Sequence, residues 1–80
     1  MANVYVLRLE NGKYYVGKTD NVINRLEDHV SDNGSAWTRT HKPLEVVEVI
    51  ENASAYTEDA VTKKYMNQFG TENVRGGSYT

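Results

Sequence analysis

Asn3-Val4-Tyr5-Val6-Leu7-Arg8-Leu9-Glu10-Asn11-Gly12-Lys13-Tyr14-Tyr15-Val16-Gly17 is the stretch on which the fold turns. Asn3 to Glu10 reads as a strand. Val4, Val6 and Arg8 lie on one face, and Tyr5, Leu7 and Leu9 on the other, so both faces carry apolar side chains to bury. Glu10-Asn11-Gly12 is a turn signal, because Asn and Gly accept the positive φ that a tight hairpin turn requires. Lys13 to Gly17 is the return strand, and the stretch predicts a β-hairpin.

Beyond the hairpin, Asp20 or Asn21 can cap a helix. Val22, Ile23, Leu26 and Val30 recur at helical spacing, which predicts a helix over about 21–31 that ends at Asp32-Asn33-Gly34-Ser35. Ala36 to Pro43 is polar apart from Trp37 and reads as a loop. Leu44 to Glu51, rich in Val and partly alternating, is a third strand. Asn52 to Ser54 is a turn, with Ser54 or Thr57 able to cap a second helix. Its stripe is Val61, Tyr65 and Phe69, with Ala60 and Met66 beside it, and Gly70 stands where helices commonly end. Thr71 to Thr80 shows no periodicity. The order strand, strand, helix, strand, helix predicts an α+β domain: a small three-stranded antiparallel sheet flanked by helices that bury their apolar stripes on it.

Composition narrows the class. Eighty residues make one domain, 1–80, and the elementless tail raises the expectation that it is cut from a longer protein. No Cys is present, which excludes a disulfide framework and a Cys-ligated zinc site. The start, Met1-Ala2-Asn3, has neither the basic residues nor the apolar stretch of a signal peptide, so an intracellular location, cytoplasm or nucleus, is expected. No apolar run approaches the roughly 20 residues of a membrane span. Nine Lys and Arg against eleven Asp and Glu give a net charge of −2. A dedicated nucleic-acid binder usually has a basic excess, so this balance predicts weak affinity for DNA and leaves room only for a local basic cleft.

Two tripeptides carry a resemblance. Asn3-Val4-Tyr5 and Tyr15-Val16-Gly17 are similar to the Gly-Ile-Tyr-like and Tyr-Ile-Gly-like tripeptides that GIY-YIG nucleases carry on their first two strands. Lys18 resembles the Lys that follows the second tripeptide in the nucleotide-excision-repair branch. Arg25 and His29 resemble the family's Arg on the first helix and the His or Tyr one turn later. Glu58 resembles the Glu early in a later helix. The first Gly is replaced by Asn3. The resemblance covers nearly the whole chain, with five motifs in order on the expected elements.

That resemblance implies a metal-dependent endonuclease hydrolysing DNA phosphodiester bonds, with Tyr5, Tyr15, Lys18, Arg25 and His29 as catalytic residues. It makes Glu58 the one protein ligand of a single Mg²⁺ or Mn²⁺ ion. Mg²⁺ is bound through few carboxylates and keeps several waters, so one Glu plus phosphate oxygens is a credible site. Activation of water falls to Tyr5, or to a network including Tyr15, and His29 is a rival general base. A free phenol has a pKa near 10, so a cation must help, and Lys18 and Arg25 are the cations at hand. Arg25 offers a planar fork for phosphate oxygens that Lys would not reproduce.

Each of these residues also has an ordinary explanation. The tyrosines suit a half-buried sheet, Arg25 and His29 suit a solvated helix face, and Glu58 beside Asp59 complements a helix N-terminus. Their joint spacing is what the ordinary explanations leave unexplained. Two further segments stand out. In Ser35-Ala36-Trp37-Thr38-Arg39-Thr40-His41-Lys42-Pro43, Arg39 and Lys42 are expected to contact the DNA backbone, while Trp37 plugs the core edge. In Asn73-Val74-Arg75-Gly76-Gly77-Ser78-Tyr79, the glycines allow close backbone approach to a phosphate, and Arg75 is a candidate phosphate contact. The alternative function is a catalytically inactive module of the same fold that binds nucleic acid or a partner protein. In the family, substrate choice belongs largely to accessory domains or insertions, so an accessory domain or protein is an expected partner.

Overall fold

The computed structural model describes residues 2–31 and 33–79; Met1, Asp32 and Thr80, which border the predicted start, helix end and tail, lie outside them. The elements are β1 (Asn3–Leu9), β2 (Tyr14–Thr19), α1 (Val22–Val30), α2 (Ala36–Thr40), β3 (Pro43–Ile50), α3 (Thr57–Phe69) and β4 (Val74–Gly76), with 3₁₀ turns at Glu10–Gly12 and Thr71–Asn73.

The hairpin forms as its residues dictate. Asn11 and Gly12 take φ of 64° and 70°, the left-handed conformation that Asn and Gly tolerate best. β1 pairs antiparallel with β2, Tyr5 opposite Gly17 and Leu7 opposite Tyr15. β1 also pairs antiparallel with β3. Val6 faces Glu48 and Leu7 faces Val46, so Val47 is an extra residue, and Leu44 is a second one between Glu45 and Pro43. Two register shifts so close together twist this strand and break the strict alternation of its side chains.

The sheet corrects the expectation of three antiparallel strands. It has four, in the order β3-β1-β2-β4, and β4 runs parallel to β2, with Tyr15 opposite Arg75 and Val16 opposite Gly76. The segment read as an elementless tail therefore forms an edge strand. A parallel neighbour needs a long crossover, and here the chain returns to it through β3 and α3. The expected loop after α1 is likewise corrected: Ala36–Thr40 is a short helix whose N-cap, Ser35, accepts a hydrogen bond from the Thr38 amide.

α1 begins as expected, with the Asn21 side chain accepting from the Asn24 amide. α3 does not. Tyr56 occupies its N-cap position without a side-chain bond, and Ser54 and Thr57 hydrogen-bond each other one step upstream. Gly70, with φ of 98°, ends α3.

The two faces of the sheet bury different things. On one, Val4, Val6 and Val16 pack with Val61 and Tyr65 of α3 and Val74 of β4, and Tyr14 stacks on Phe69 with ring centroids 4.2 Å apart. On the other, Tyr5, Leu7 and Leu9 pack with Leu26 of α1 and Trp37 of α2. The apolar spacing of α1 is only half used: Leu26 packs inward, whereas Ile23 and Val30 are 71% and 73% exposed. Arg25 and His29 turn toward the sheet in their place.

Candidate active site

The site grows out of strand alternation. Tyr5 and Tyr15 lie on the same face of neighbouring strands, offset by one pair, with ring centroids 6.3 Å apart. Gly17, directly opposite Tyr5, has no side chain because a Cβ there would fall inside the Tyr5 phenol ring. The tyrosine thus lies flat across β2 and reaches α1. Its hydroxyl is 2.8 Å from Nε2 of His29, and the His29 ring meets that of Tyr15 edge-on at 5.2 Å.

One set of proton positions satisfies every group. Thr38 Oγ1 lies 3.1 Å from the Ser35 carbonyl, 3.3 Å from the Ser35 hydroxyl and 2.8 Å from Nδ1 of His29; with its proton on the carbonyl, it accepts from Nδ1–H. Nε2 is then bare and accepts from the Tyr5 hydroxyl. In that arrangement each group uses its one donor, and the fully buried Tyr5 hydroxyl is also in hydrogen-bonding contact with Arg25. His29 is only 1% exposed. Burial, with the Arg25 charge adding to it, holds its pKa at about 4 against an ordinary 6.5, so the imidazole is neutral.

Burial likewise pushes the Tyr5 phenol well above its ordinary value of 10, and the neighbouring Tyr15 and the Glu58 carboxylate push the same way; Arg25 works against them. Arg25 itself is raised. Burial opposes its charge, but its contacts with Tyr5 and Tyr15 outweigh that cost. It also pairs with Asp28 at 3.5 Å. The site is therefore a buried phenol–imidazole–hydroxyl chain with one guanidinium beside the phenols and one carboxylate within electrostatic reach.

Tyr5, Tyr15, Arg25 and His29 are brought together, and Glu58, in the first turn of α3, acts on Tyr5 through its charge. Lys18 pairs with Val4; it emerges on the opposite face of the sheet and is exposed. Arg39 ends α2, and Lys42 lies between α2 and β3; both are exposed. Arg75 lies in β4 with its guanidinium 4.6 Å from the centre of the Trp37 ring. The Trp37 indole fills the edge of this core, its Nε1 donating to the Tyr14 carbonyl at 2.9 Å. Gly76 and Gly77 do give close backbone approach, but to β2 and α3: a Cβ would strike the Val16 carbonyl and Thr62 from Gly76, and Asp59 from Gly77. Asp59 holds the tail by accepting from the amide and hydroxyl of Ser78 at 2.9 and 3.0 Å.

Sequence reasoning missed Thr38 and Gly34. Thr38 is fully buried and sets the His29 tautomer. Gly34 backs the imidazole so closely that a Cβ would overlap Nδ1.

Among the described residues no cluster of three or more His, Asp or Glu is placed to hold a metal ion. A lone carboxylate suits a hard cation that keeps its waters and borrows substrate oxygens. Glu58 fits that pattern, being close enough to the Tyr5 phenol for its charge to be felt there.

Comparison with known proteins agrees with this geometry. Residues 1–73 match the GIY-YIG catalytic domain family, and the chain belongs to that family. Similar proteins include a UPF0213 protein of Fusobacterium nucleatum, 29% identical over 68 residues, 81% of this chain and 68% of the relative. A UPF0213 protein of Autographa californica nuclear polyhedrosis virus is 34% identical over 64 residues, 80% of this chain and 60% of the relative. One from Xanthomonas campestris is 36% identical over 45 residues, 56% of this chain and 44% of the relative. The matched segment thus spans from under half to about two thirds of these relatives' lengths. No solved structure matches the chain significantly. Among the described residues, no helix is long and apolar enough to cross a membrane.

Proposed function

We propose that this chain is a metal-dependent endonuclease domain that hydrolyses DNA phosphodiester bonds, with the Tyr5–His29–Thr38 hydrogen-bond chain as its proton path. The observation that carries this reading is the unbroken line of contacts from the Tyr5 hydroxyl through the His29 ring to Thr38 Oγ1, each 2.8 Å long. In this reading Tyr5 donates to Nε2, which the Thr38–Nδ1 bond leaves bare. The Tyr5 oxygen is the atom that would take a proton from an attacking water.

In this reading water attacks phosphorus while Tyr5 accepts its proton and passes its own to Nε2 of His29. The bond from phosphorus to the leaving oxygen breaks, solvent protonates that oxygen, and His29 returns its proton to solvent through Tyr5. The free protein resists ionisation of Tyr5, because burial and the Glu58 charge both favour the neutral phenol. A divalent cation held by Glu58 would supply positive charge where the carboxylate now disfavours phenolate, and would polarise the phosphate. Arg25 stabilises the phenolate from the other side and has its fork for the non-bridging phosphate oxygens. Tyr15 packs on His29 and fixes the ring that Tyr5 must meet. Arg39 and Lys42 are exposed cations suited to the DNA backbone, while Lys18, expected among the catalytic residues, lies across the sheet from this chain of protons. With a net charge of −2, cleavage should be weak, salt-sensitive and tolerant of sequence, unless an accessory domain or partner supplies affinity.

The test is nicking of supercoiled plasmid and branched DNA at low salt, with Mg²⁺, Mn²⁺ or EDTA. Metal-dependent nicking that disappears in Glu58→Ala and Arg25→Ala is the expected result. A folded wild-type protein that cuts nothing in either metal would transfer the reading to an inactive binding module.

A further inference from the structure

Beside the proton path lies a second feature that the chemistry above does not use. Tyr15, Ser35, Ala36, Trp37 and Arg75 line a cleft of about 190 Å³. It exists because β4 lies parallel to β2, which sets Arg75 opposite Tyr15 in the register. Gly76 is turned toward α3, so Arg75 projects to the other face. Its Nη1 donates to the carbonyls of Thr71 and Val74 at 3.0 and 2.8 Å, which fixes the guanidinium as a flat plate above the indole. The indole is fixed in turn by its bond to the Tyr14 carbonyl. The Ser35 hydroxyl adds a polar group.

The geometry points to a subsite for one unpaired nucleobase of the DNA strand, held one step from the scissile phosphate. This inference rests on the nuclease reading for its location and on the cleft for its chemistry. A guanidinium layered on an indole, with a phenol ring opposite, is a stacking surface for a flat heterocycle. The cleft lies below the roughly 300–1,000 Å³ of sites for drug-sized molecules, a size for one ring system rather than a base pair. Tyr15 joins the cleft to the site, since its ring also contacts His29. A chain with net negative charge gains little from phosphates, so a base contact supplies affinity that charge does not. It would also favour strands with splayed bases over intact duplex, because a paired base must leave its stack to enter.

Trp37 is the only Trp in the chain, so its emission reports the cleft directly. Metal-free protein in EDTA is titrated with a short single-stranded DNA oligomer, with an abasic sugar–phosphate oligomer of equal length, and with the free mononucleotide. The expected result is a change in Trp37 emission with the base-bearing strand, and binding at least about tenfold tighter than to the abasic strand, the size of a single stacking contact. Arg75→Gln should abolish that preference. Ala36→Phe should abolish it too, filling the cleft from an exposed position without removing a contact. Equal binding of abasic and base-bearing strands, or an unchanged preference in folded Ala36→Phe, would overturn the subsite. Binding of the free mononucleotide as tight as that of the strand would overturn the strand as ligand. A base preference without any cleavage in Mg²⁺ keeps the subsite and defeats the nuclease reading; cleavage with no base preference does the reverse.

Discussion

The two faces of the sheet share the same strands and do opposite work. Toward α3, Val4, Val6 and Val16 are fully buried among other apolar groups. Toward α1 and α2, the neighbouring residues of the same strands bury a phenol, an imidazole and a threonine hydroxyl. Every member of that polar chain has a partner, and among the described residues no buried side-chain polar atom is left without one. A satisfied polar network is rigid and specific but adds little net stability, whereas apolar burial contributes directly. The lesson is a division of labour by strand alternation: Val4 and Val6 of β1 face only apolar groups, whereas on the other face Leu7 and Leu9 form a second apolar cluster beside which Tyr5 carries the site.

The largest expected separation of the two faces is Tyr5→Phe. It should lower cleavage by about 100-fold to 10,000-fold, the range for loss of a positioned proton carrier. Stability should fall by only about 1–3 kcal/mol from the unpaired His29 nitrogen, as urea unfolding would show. A rate within threefold of wild type would remove Tyr5 from the chemistry.

Acid should act next, and on the polar face alone. The His29 pKa is lowered on folding, so the unfolded chain binds a proton that the folded chain refuses. The stability from neutral His29 is fully present above pH 6.5. It is lost as pH falls toward about 4, an effect of ~1–3 kcal/mol. Asp59, held below its ordinary 3.8 by Ser78, responds only at lower pH. Denaturant titrations at pH 7 and pH 4.5 should differ accordingly, and His29→Gln should flatten the difference; an equal slope in the variant would place the proton elsewhere.

On the apolar face, Val6→Ala should cost about 2 kcal/mol by cavity formation, seen as a fall of roughly 8–16 °C in melting temperature for a domain this small. Cleavage per folded molecule should stay within threefold, and a larger drop would mean that the faces are coupled. The smallest effect is expected from Tyr65→Phe. Its hydroxyl donates to Glu48 at 3.0 Å in a partly exposed position, and burial with that bond raises its pKa to about 12. Below pH 10 its loss should cost under about 1 kcal/mol.

Much of this division was legible beforehand. The alternation of Asn3 to Leu9 separated the faces, Asn11-Gly12 placed the turn, and Val61 and Tyr65 marked the inner stripe of α3. The candidate site residues on the hairpin and α1 were legible through the family resemblance, not through periodicity, which left Arg25 and His29 on a solvated helix face. β4 was not, since Val74-Arg75-Gly76 has one apolar side chain and no period, and its partner lies some sixty residues upstream. α2 was hidden because five residues carry too little pattern to reveal a helix. Thr38 escaped for the same reason: its role is fixed by the His29 nitrogen it accepts from, a contact no local signal encodes. The exposure of Ile23 and Val30 shows the converse, apolar spacing that the fold leaves on its surface.

The strand order has a consequence in time. β1 and β2, which carry Tyr5 and Tyr15, are the two interior strands, and β3 and β4 are the rims. Hydrogen exchange should therefore find the slowest amides under the tyrosines and faster ones in the three-residue β4, where fraying exposes little apolar surface. Arg75 rides on that rim. If β4 frays first, the wall of the cleft would loosen while the tyrosines stay in place, and the same exchange measurement would show it.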